Sequence, residues 1–443
     1  MFGYMVEQIG IEHIDSNMKK GNSRSLFFLW FAANLTIADF AIGFIPITLG
    51  MSFLSGITSI LIGNVLGALI VGFSAAMGPK TGYPQMMSTT NSMGTLGMRI
   101  FGIINLSNTL GWFIVNNIIA VAAIFLIFHY PPWILIVLYT ILILIISYIG
   151  HDFIHKVEKI LAFSLGILFL VMLILAVYNL KSTPMGGNLI LNMPFFGMIS
   201  FTYSYLMSWG PYASDYSRYL PENEDTKKVF LFTFLGSFIS TTFVEIAAML
   251  ISYEFDSYNS MQGLQISLGK YFIIGLILIA LGGISANVLN LYSSSLSGLV
   301  GGIRMKRTSF ILILALLGFL LSVIFYNGFY NFFESFLLVL DYWISPWISI
   351  LIMDFFIIGN KKLVFSRRIN YNGILAYILG LLVSVPFMDT SIGNLNYVFP
   401  ISKLLGGIDI SYFVSFIASG IIYLLLNFLG KGNNTLSLNK DVN

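Results

Sequence analysis

The sequence predicts an all-α polytopic membrane protein of twelve transmembrane helices, and three observations carry that prediction. Of 443 residues, 57% are hydrophobic and only 9% charged, and mean hydropathy is +0.88; soluble domains average roughly a quarter charged residues. Apolar runs long enough to cross a bilayer, about 20 residues each, recur along the whole chain. Two of those runs, five spans apart, are interrupted by helix-breaking residues, the arrangement of a 5+5 inverted repeat.

The twelve runs are 26–53, 57–78, 100–127, 133–150, 160–180, 195–213, 229–252, 270–297, 309–326, 332–359, 371–387 and 410–429, here helices 1 to 12. Segment 1–25 is polar and lacks a signal-peptide core, so it is expected to be cytoplasmic. Helices 1–5 (26–180) form the first expected repeat and helices 6–10 (195–359) the second. Helices 11 and 12 (371–429) are peripheral, and 430–443 is a short tail. No internal sequence identity marks the repeat; position alone implies it. With both termini cytoplasmic, all but three of the 22 Lys and Arg residues (Lys181, Lys270 and Lys403) fall inside, as the positive-inside rule requires.

Helix 1 carries Asn34, Asp39, Gly43 and Pro46. Helix 6 ends in Trp209-Gly210-Pro211-Tyr212-Ala213-Ser214-Asp215-Tyr216-Ser217-Arg218-Tyr219-Leu220-Pro221. Pro removes a backbone donor and Gly admits close approach. The freed backbone groups are tolerated at membrane depth only against protein or a water-filled cavity. Broken helices there are the usual solute site of secondary transporters; a simple proline kink is the alternative. Asp215 and Arg218, three apart, are expected to form a helix-end ion pair. Ser345-Pro346 in helix 10 suggests a bend that serves as an outer gate.

Helix 3 places Trp112 and Asn116 four apart, on one face. That pair offers a flat aromatic platform beside a two-way hydrogen-bonding amide, suited to a planar heterocycle. In helix 8, Asn287 and Asn290 stand out from a stripe of serines that otherwise suits helix packing. Five carboxylates fall within the proposed spans: Asp39, Glu245, Glu334, Asp341 and Asp354. Asp39, in mid-helix beside the proposed break, is the strongest functional candidate and the candidate proton carrier. Gly63-x-x-x-Gly67 and Gly298-x-x-x-Gly302 read as packing contacts.

Much chemistry is excluded. There is no Cys, hence no disulfide, thiolate metal site or Cys nucleophile. P-loop and His-Glu-x-x-His motifs are missing, and no convergent nucleophile and base suggest an enzyme. The basic residues are scattered through short loops, so the net charge of +3 gives no sign of nucleic-acid binding.

Motifs along residues 10 to 430 resemble the nucleobase–cation symporters, in their cytosine and purine permease branch. They are Gly10-Ile11-Glu12, Trp30-Phe31-Ala32-Ala33-Asn34-Leu35, Ile62-Gly63-Asn64-Val65-Leu66-Gly67 and Gly78-Pro79-Lys80-Thr81-Gly82. Further on come Gly111-Trp112-Phe113 with Asn116, the helix 6 string, Ser345-Pro346-Trp347 and Asp354-Phe355. The resemblance implies the LeuT-like fold of sodium-coupled amino-acid transporters and cation-coupled import of a nucleobase across the plasma membrane. It implies no cofactor beyond a coupling ion, H+ or Na+. By the same resemblance the substrate is held by Trp112, Asn116, Trp209, Gly210 and Asn287, with Ala38 and Thr109 alongside. Thr109 stands where some cytosine permeases have a substrate-binding Gln. The resemblance also implies cation coupling around Ala33, Ile37, Gly282 and Ser285, with Na+ at Ala33, Ile37 and Ser285. One hydroxyl of the usual helix 8 pair is missing, since Ala286 follows Ser285, and Asp39 offers a proton route instead. Partners are then a small base and membrane lipid. Uracil, hydantoin or allantoin, or a thiamine-type vitamin is the alternative cargo. A non-transporting membrane sensor is a further alternative.

Overall fold

Helix 1 is two helices. In the computed structural model, which describes residues 6–178, 187–255, 257, 260–359, 361–392 and 395–438, Arg24–Ala33 and Ile37–Thr48 meet at 61°. Asn34 Nδ2 turns back to the Trp30 carbonyl at 2.8 Å, closing the first half. Thr36, extended at φ −122° and ψ 161°, starts the second by accepting from the Asp39 N–H at 3.2 Å, an N-cap through its hydroxyl.

Helix 6 breaks as well. Met193–Met207 gives way to a 3₁₀ turn over Gly210–Tyr212 and a single helical turn over Ser214–Ser217. The freed polar groups find protein: Ser214 N bonds Gln85 at 3.1 Å, and Ser214 and Ser217 hydroxyls donate to the carbonyls of Ser74 and Ala75.

Among the described residues, eight helices are long and apolar enough to span a membrane, and the bent helix 1 pair makes a ninth. Shorter apolar helices cover Tyr342–Ile358 and Tyr371–Phe387, within predicted helices 10 and 11. Three expectations are corrected. Helix 3 runs Thr89–Phe128, bent at Gly94, well before residue 100. Helix 5 begins at His151, which brings Glu158 into a span. The fold also has a small hairpin, Asp389–Ile392 with Leu395–Val398, between helices 11 and 12. Helix 10 continues as helix through Pro346, and the side chains of Glu334 and Asp341 lie outside the described residues.

Glycine lets the broken helices sit close to their neighbours. Gly63 and Gly67 of helix 2 face Thr202, Tyr203 and Leu206 of helix 6, so these are packing contacts. Gly43 meets the Glu245 carbonyl and Ala248, which presses the second half of helix 1 onto helix 7. Gly282 of helix 8 sits against the Leu35 carbonyl in the helix 1 break. A methyl there has no space. Gly282→Ala is expected to destabilise by about 1–3 kcal/mol, the usual cost of overpacking, seen as a lowered melting temperature in detergent.

Beneath the break, the N-terminal segment is inserted among helices 4, 5, 6, 8 and 9. Glu7 accepts from the hydroxyls of Tyr219 and Tyr292 and from the His151 N–H. The buried guanidinium groups of Arg218 and Arg307 lie 3.6 and 4.0 Å from its oxygens. They also donate to the carbonyls of Gly10 at 2.9 Å and Glu7 at 2.7 Å. The expected Asp215–Arg218 pair is therefore corrected. Arg218 turns to Glu7, while Asp215 accepts from the Gln85 N–H at 2.9 Å. The turn they occupy is too short for regular three-residue helical spacing to align them.

Candidate functional site

The helix 6 break and the middle of helices 3 and 8 converge on one buried cavity. Trp112, Asn116, Tyr205, Ser208, Trp209, Ala286 and Asn290 line it. Trp112 and Trp209 are 4% exposed. Tyr205 meets Trp112 edge-on at 5.8 Å and 88°, and Trp209 contacts Tyr212 at 5.4 Å and Trp30 at 5.5 Å. The walls are thus aromatic, and the polar groups are few.

The polar edge is anchored deeply. Asn290 Oδ1 accepts from the Tyr212 hydroxyl at 3.0 Å, and its Nδ2 donates to Asn287 Oδ1 at 3.3 Å. Asn287 Nδ2 in turn donates to the Phe113 carbonyl and Asn117 Oδ1, both at 3.0 Å. Asn117 reaches Thr140 and Ser322. A fully satisfied buried amide chain of this kind holds its first member in a fixed orientation.

Of the substrate residues expected from the sequence, Trp112, Asn116 and Trp209 come together in the cavity. The rest are placed elsewhere. Asn287 is committed to helix 3, and Asn290, one turn on, takes the cavity-facing position. Thr109 accepts from Ser294 at 2.8 Å and donates to the Asn105 carbonyl. The Cβ direction of Gly210 faces Ile70 and Ser74 of helix 2. Ala38 is 3% exposed and does not line the cavity. Tyr205 and Ser208 were not singled out by the sequence, because an aromatic and a serine in an apolar helix carry no signal of their own.

Two buried carboxyl sites flank the helix 1 break. Asp39 lies within hydrogen-bond reach of Glu245 on helix 7, and Glu245 Oε2 accepts from Asn64 Nδ2 at 2.6 Å. Both Asp39 oxygens and Glu245 Oε1 have no donor among the described residues. On the other side, the Ser285 hydroxyl donates to the fully buried Glu158 of helix 5. Helix 8 thus presents Ser285 already engaged with a carboxyl, next to Ala286, in place of a pair of free hydroxyls. Ala33 and Ile37 stand at the two lips of the break, and Gly282 closes on it. Glu158 is a carboxyl the sequence reading left outside the membrane; its neighbours Lys156 and Lys159 made that stretch resemble a loop.

An inverted-repeat helical fold with two broken helices and an aromatic cavity between helices 3, 6 and 8 defines a membrane transporter. The chain belongs to the family described as permeases for cytosine/purines, uracil, thiamine and allantoin, whose model matches residues 13–415. It is 28% identical to the putative purine-cytosine permease YxlA of Bacillus subtilis, over 95% of this chain and 96% of that one. It is 27% identical to the vitamin B6 transporter TPN1 of Saccharomyces cerevisiae, over 82% of this chain and 66% of that one. Among solved structures it is similar to Mhp1, a nucleobase-cation-symport-1 family transporter in a closed conformation with bromovinylhydantoin bound. That likeness has a TM-score of 0.77 at 16% identity and covers 98% of this chain and 96% of that one. It shows the fold: the LeuT-like inverted repeat with helices 1 and 6 broken.

Proposed function

We propose that this permease imports a nucleobase, cytosine or a purine such as adenine or hypoxanthine, by cation-coupled alternating access across the plasma membrane, with both termini cytoplasmic. The observation that carries this reading is the meeting of Trp112, Trp209 and Asn116 in one buried cavity. A flat ring stacks between the indoles, and base–aromatic stacking tolerates any base because each has a π-face. The amides of Asn116 and Asn290 each supply a donor and an acceptor, the pattern on a base's edge. Residues 26–180 and 195–359 act as the two repeats that rock about this point.

For the coupling ion we favour the proton, carried at Asp39. Two carboxyl groups within hydrogen-bond reach repel when both are charged, and one shared proton turns repulsion into a hydrogen bond. Sodium held by Ala33, Ile37 and Ser285 is the second reading, favoured by the helix 1 break beside helix 8. The vitamin B6 relative keeps a vitamin-type heterocycle in view as cargo.

The test is uptake of labelled adenine, cytosine and uracil into proteoliposomes under separate proton and sodium gradients. Accumulation of one base driven by the proton gradient and lost in Asp39→Asn supports cargo and ion together. Uptake driven by sodium alone leaves import standing and removes Asp39 from coupling. No base accumulated under either gradient overturns the nucleobase reading in favour of another heterocycle.

A further inference from the structure

The geometry points to Tyr205 as a positioning residue that ties the state of the cavity to the second half of helix 1. This rests on the reading that the cavity binds the cargo. Tyr205 has two distinct ends. Its ring lines the cavity and meets Trp112 edge-on at 5.8 Å. Its hydroxyl lies 3.1 Å from Thr36 Oγ1. Thr36 is no ordinary surface threonine: it is 2% exposed, and the same oxygen caps helix 1 by accepting from the Asp39 N–H. A threonine hydroxyl has one donor and two acceptor sites, so the cap and the tyrosine bond are compatible and mutually orienting.

The strut crosses the place where motion has to occur. Thr36 lies at the 61° break, with helix 8 seated on the adjoining Leu35 carbonyl. Two broken helices, 1 and 6, are therefore joined by one hydrogen bond between the cavity wall and an N-cap. A flat ring seated against Trp112 fixes the Tyr205 ring, and through Oη it fixes the start of Ile37–Thr48. With the cavity vacant, the ring loses that contact and the brace rests on the hydrogen bond alone. Cargo occupancy thereby biases the orientation of the helix 1 segment, including Asp39 and its contact with Glu245, without that segment touching the cargo. A ligand shifts such an equilibrium only by the difference in its interaction with the two states, and this single bond is where the difference arises.

Tyr205→Phe keeps the ring and deletes the strut. Net uptake is expected to fall about fivefold, the effect of one hydrogen bond, and to fall more than base affinity does. Thr36→Val should reproduce the loss, and Thr36→Ser should restore it. Because the chain has no Cys, Ile42→Cys gives a readout that needs no cargo: the buried position should react with maleimide faster when Tyr205→Phe is added. Unchanged uptake and unchanged labelling in Tyr205→Phe overturn the proposal. Equal losses of affinity and uptake also overturn it, since the hydroxyl would then be a direct cargo contact. A wild type that takes up no base sinks the import reading instead, and the labelling comparison alone then decides the strut. If Tyr205→Phe does not fold, the Thr36→Val and Thr36→Ser pair decides it by the same two readouts.

Discussion

Trp112→Ala lowers nucleobase affinity about 5- to 150-fold, because base–aromatic stacking is worth about 1–3 kcal/mol per base. Combined with Asn116→Ala, it leaves no measurable binding. Both side chains lie in the middle of helix 3, a 40-residue helix with extensive packing elsewhere, so the variants should purify as wild type does. The useful comparison is Thr109→Ala, three residues before Trp112 on the same helix. Its hydroxyl is engaged with Ser294 and Asn105, so base affinity should be unaffected. Isothermal titration of all three in detergent checks the placement of the site. Wild-type affinity in Trp112→Ala would remove the cavity from consideration as the cargo site.

The second large effect is expected from Glu7→Ala, about 30 residues before the first membrane break. Removing this carboxylate leaves Arg218 and Arg307, both essentially fully buried, without their counter-charge. Breaking a buried pair in this way costs about 3–5 kcal/mol. The segment should then leave its place among helices 4, 5, 6, 8 and 9, opening a path from that membrane face to the cavity. A cysteine put at Ala213, fully buried in the present structure, should become reactive to maleimide, and uptake against a gradient should collapse. The contact is built to survive acidification. Burial by itself would raise the Glu7 carboxyl, but Arg307 and Arg218, with the Tyr219 hydroxyl and His151 N–H, hold it below its ordinary 4.5. A depressed carboxyl contributes fully above its ordinary value and is lost only as pH falls through the lower folded value. Labelling of Ala213→Cys in the wild-type background should therefore stay slow between about pH 7 and 5; rapid labelling at the lower end would refute the latch.

How far the sequence revealed these features follows from the kind of signal each one leaves. Helix breakers are chemical facts about single residues, so Gly210-Pro211 announced the break in helix 6; in helix 1, Asn34, Asp39, Gly43 and Pro46 marked an interrupted segment, and the bend falls between Ala33 and Ile37. Trp112 and Asn116 were legible because their spacing puts them on one face whatever the neighbours do. Asn287 and Asn290 differ by less than one turn. Which of them reaches the cavity depends on the rotation of helix 8, fixed by Gly282 against Leu35 and Gly283 against Tyr139, contacts from distant parts of the chain. Glu158 was hidden by its lysine neighbours, whose charges suggest a loop, while the carboxyl between them is fully buried. Arg218 was read by spacing towards Asp215, but the backbone there is no longer a regular helix. Its true partner, Glu7, is more than 200 residues away.

That last separation has a consequence for how the protein is made. Glu7 emerges first from the ribosome, yet Tyr292 is 285 residues downstream and Arg307 is 300. At about 5–20 residues per second, domain by domain from the N-terminus, roughly 15–60 s pass before both partners exist. During that interval the first helices are already in the bilayer with the N-terminal segment only partly anchored. Completion of this contact is therefore one of the late events of biogenesis, and a chain truncated before helix 9 lacks Arg307, one of the two buried cations beside Glu7.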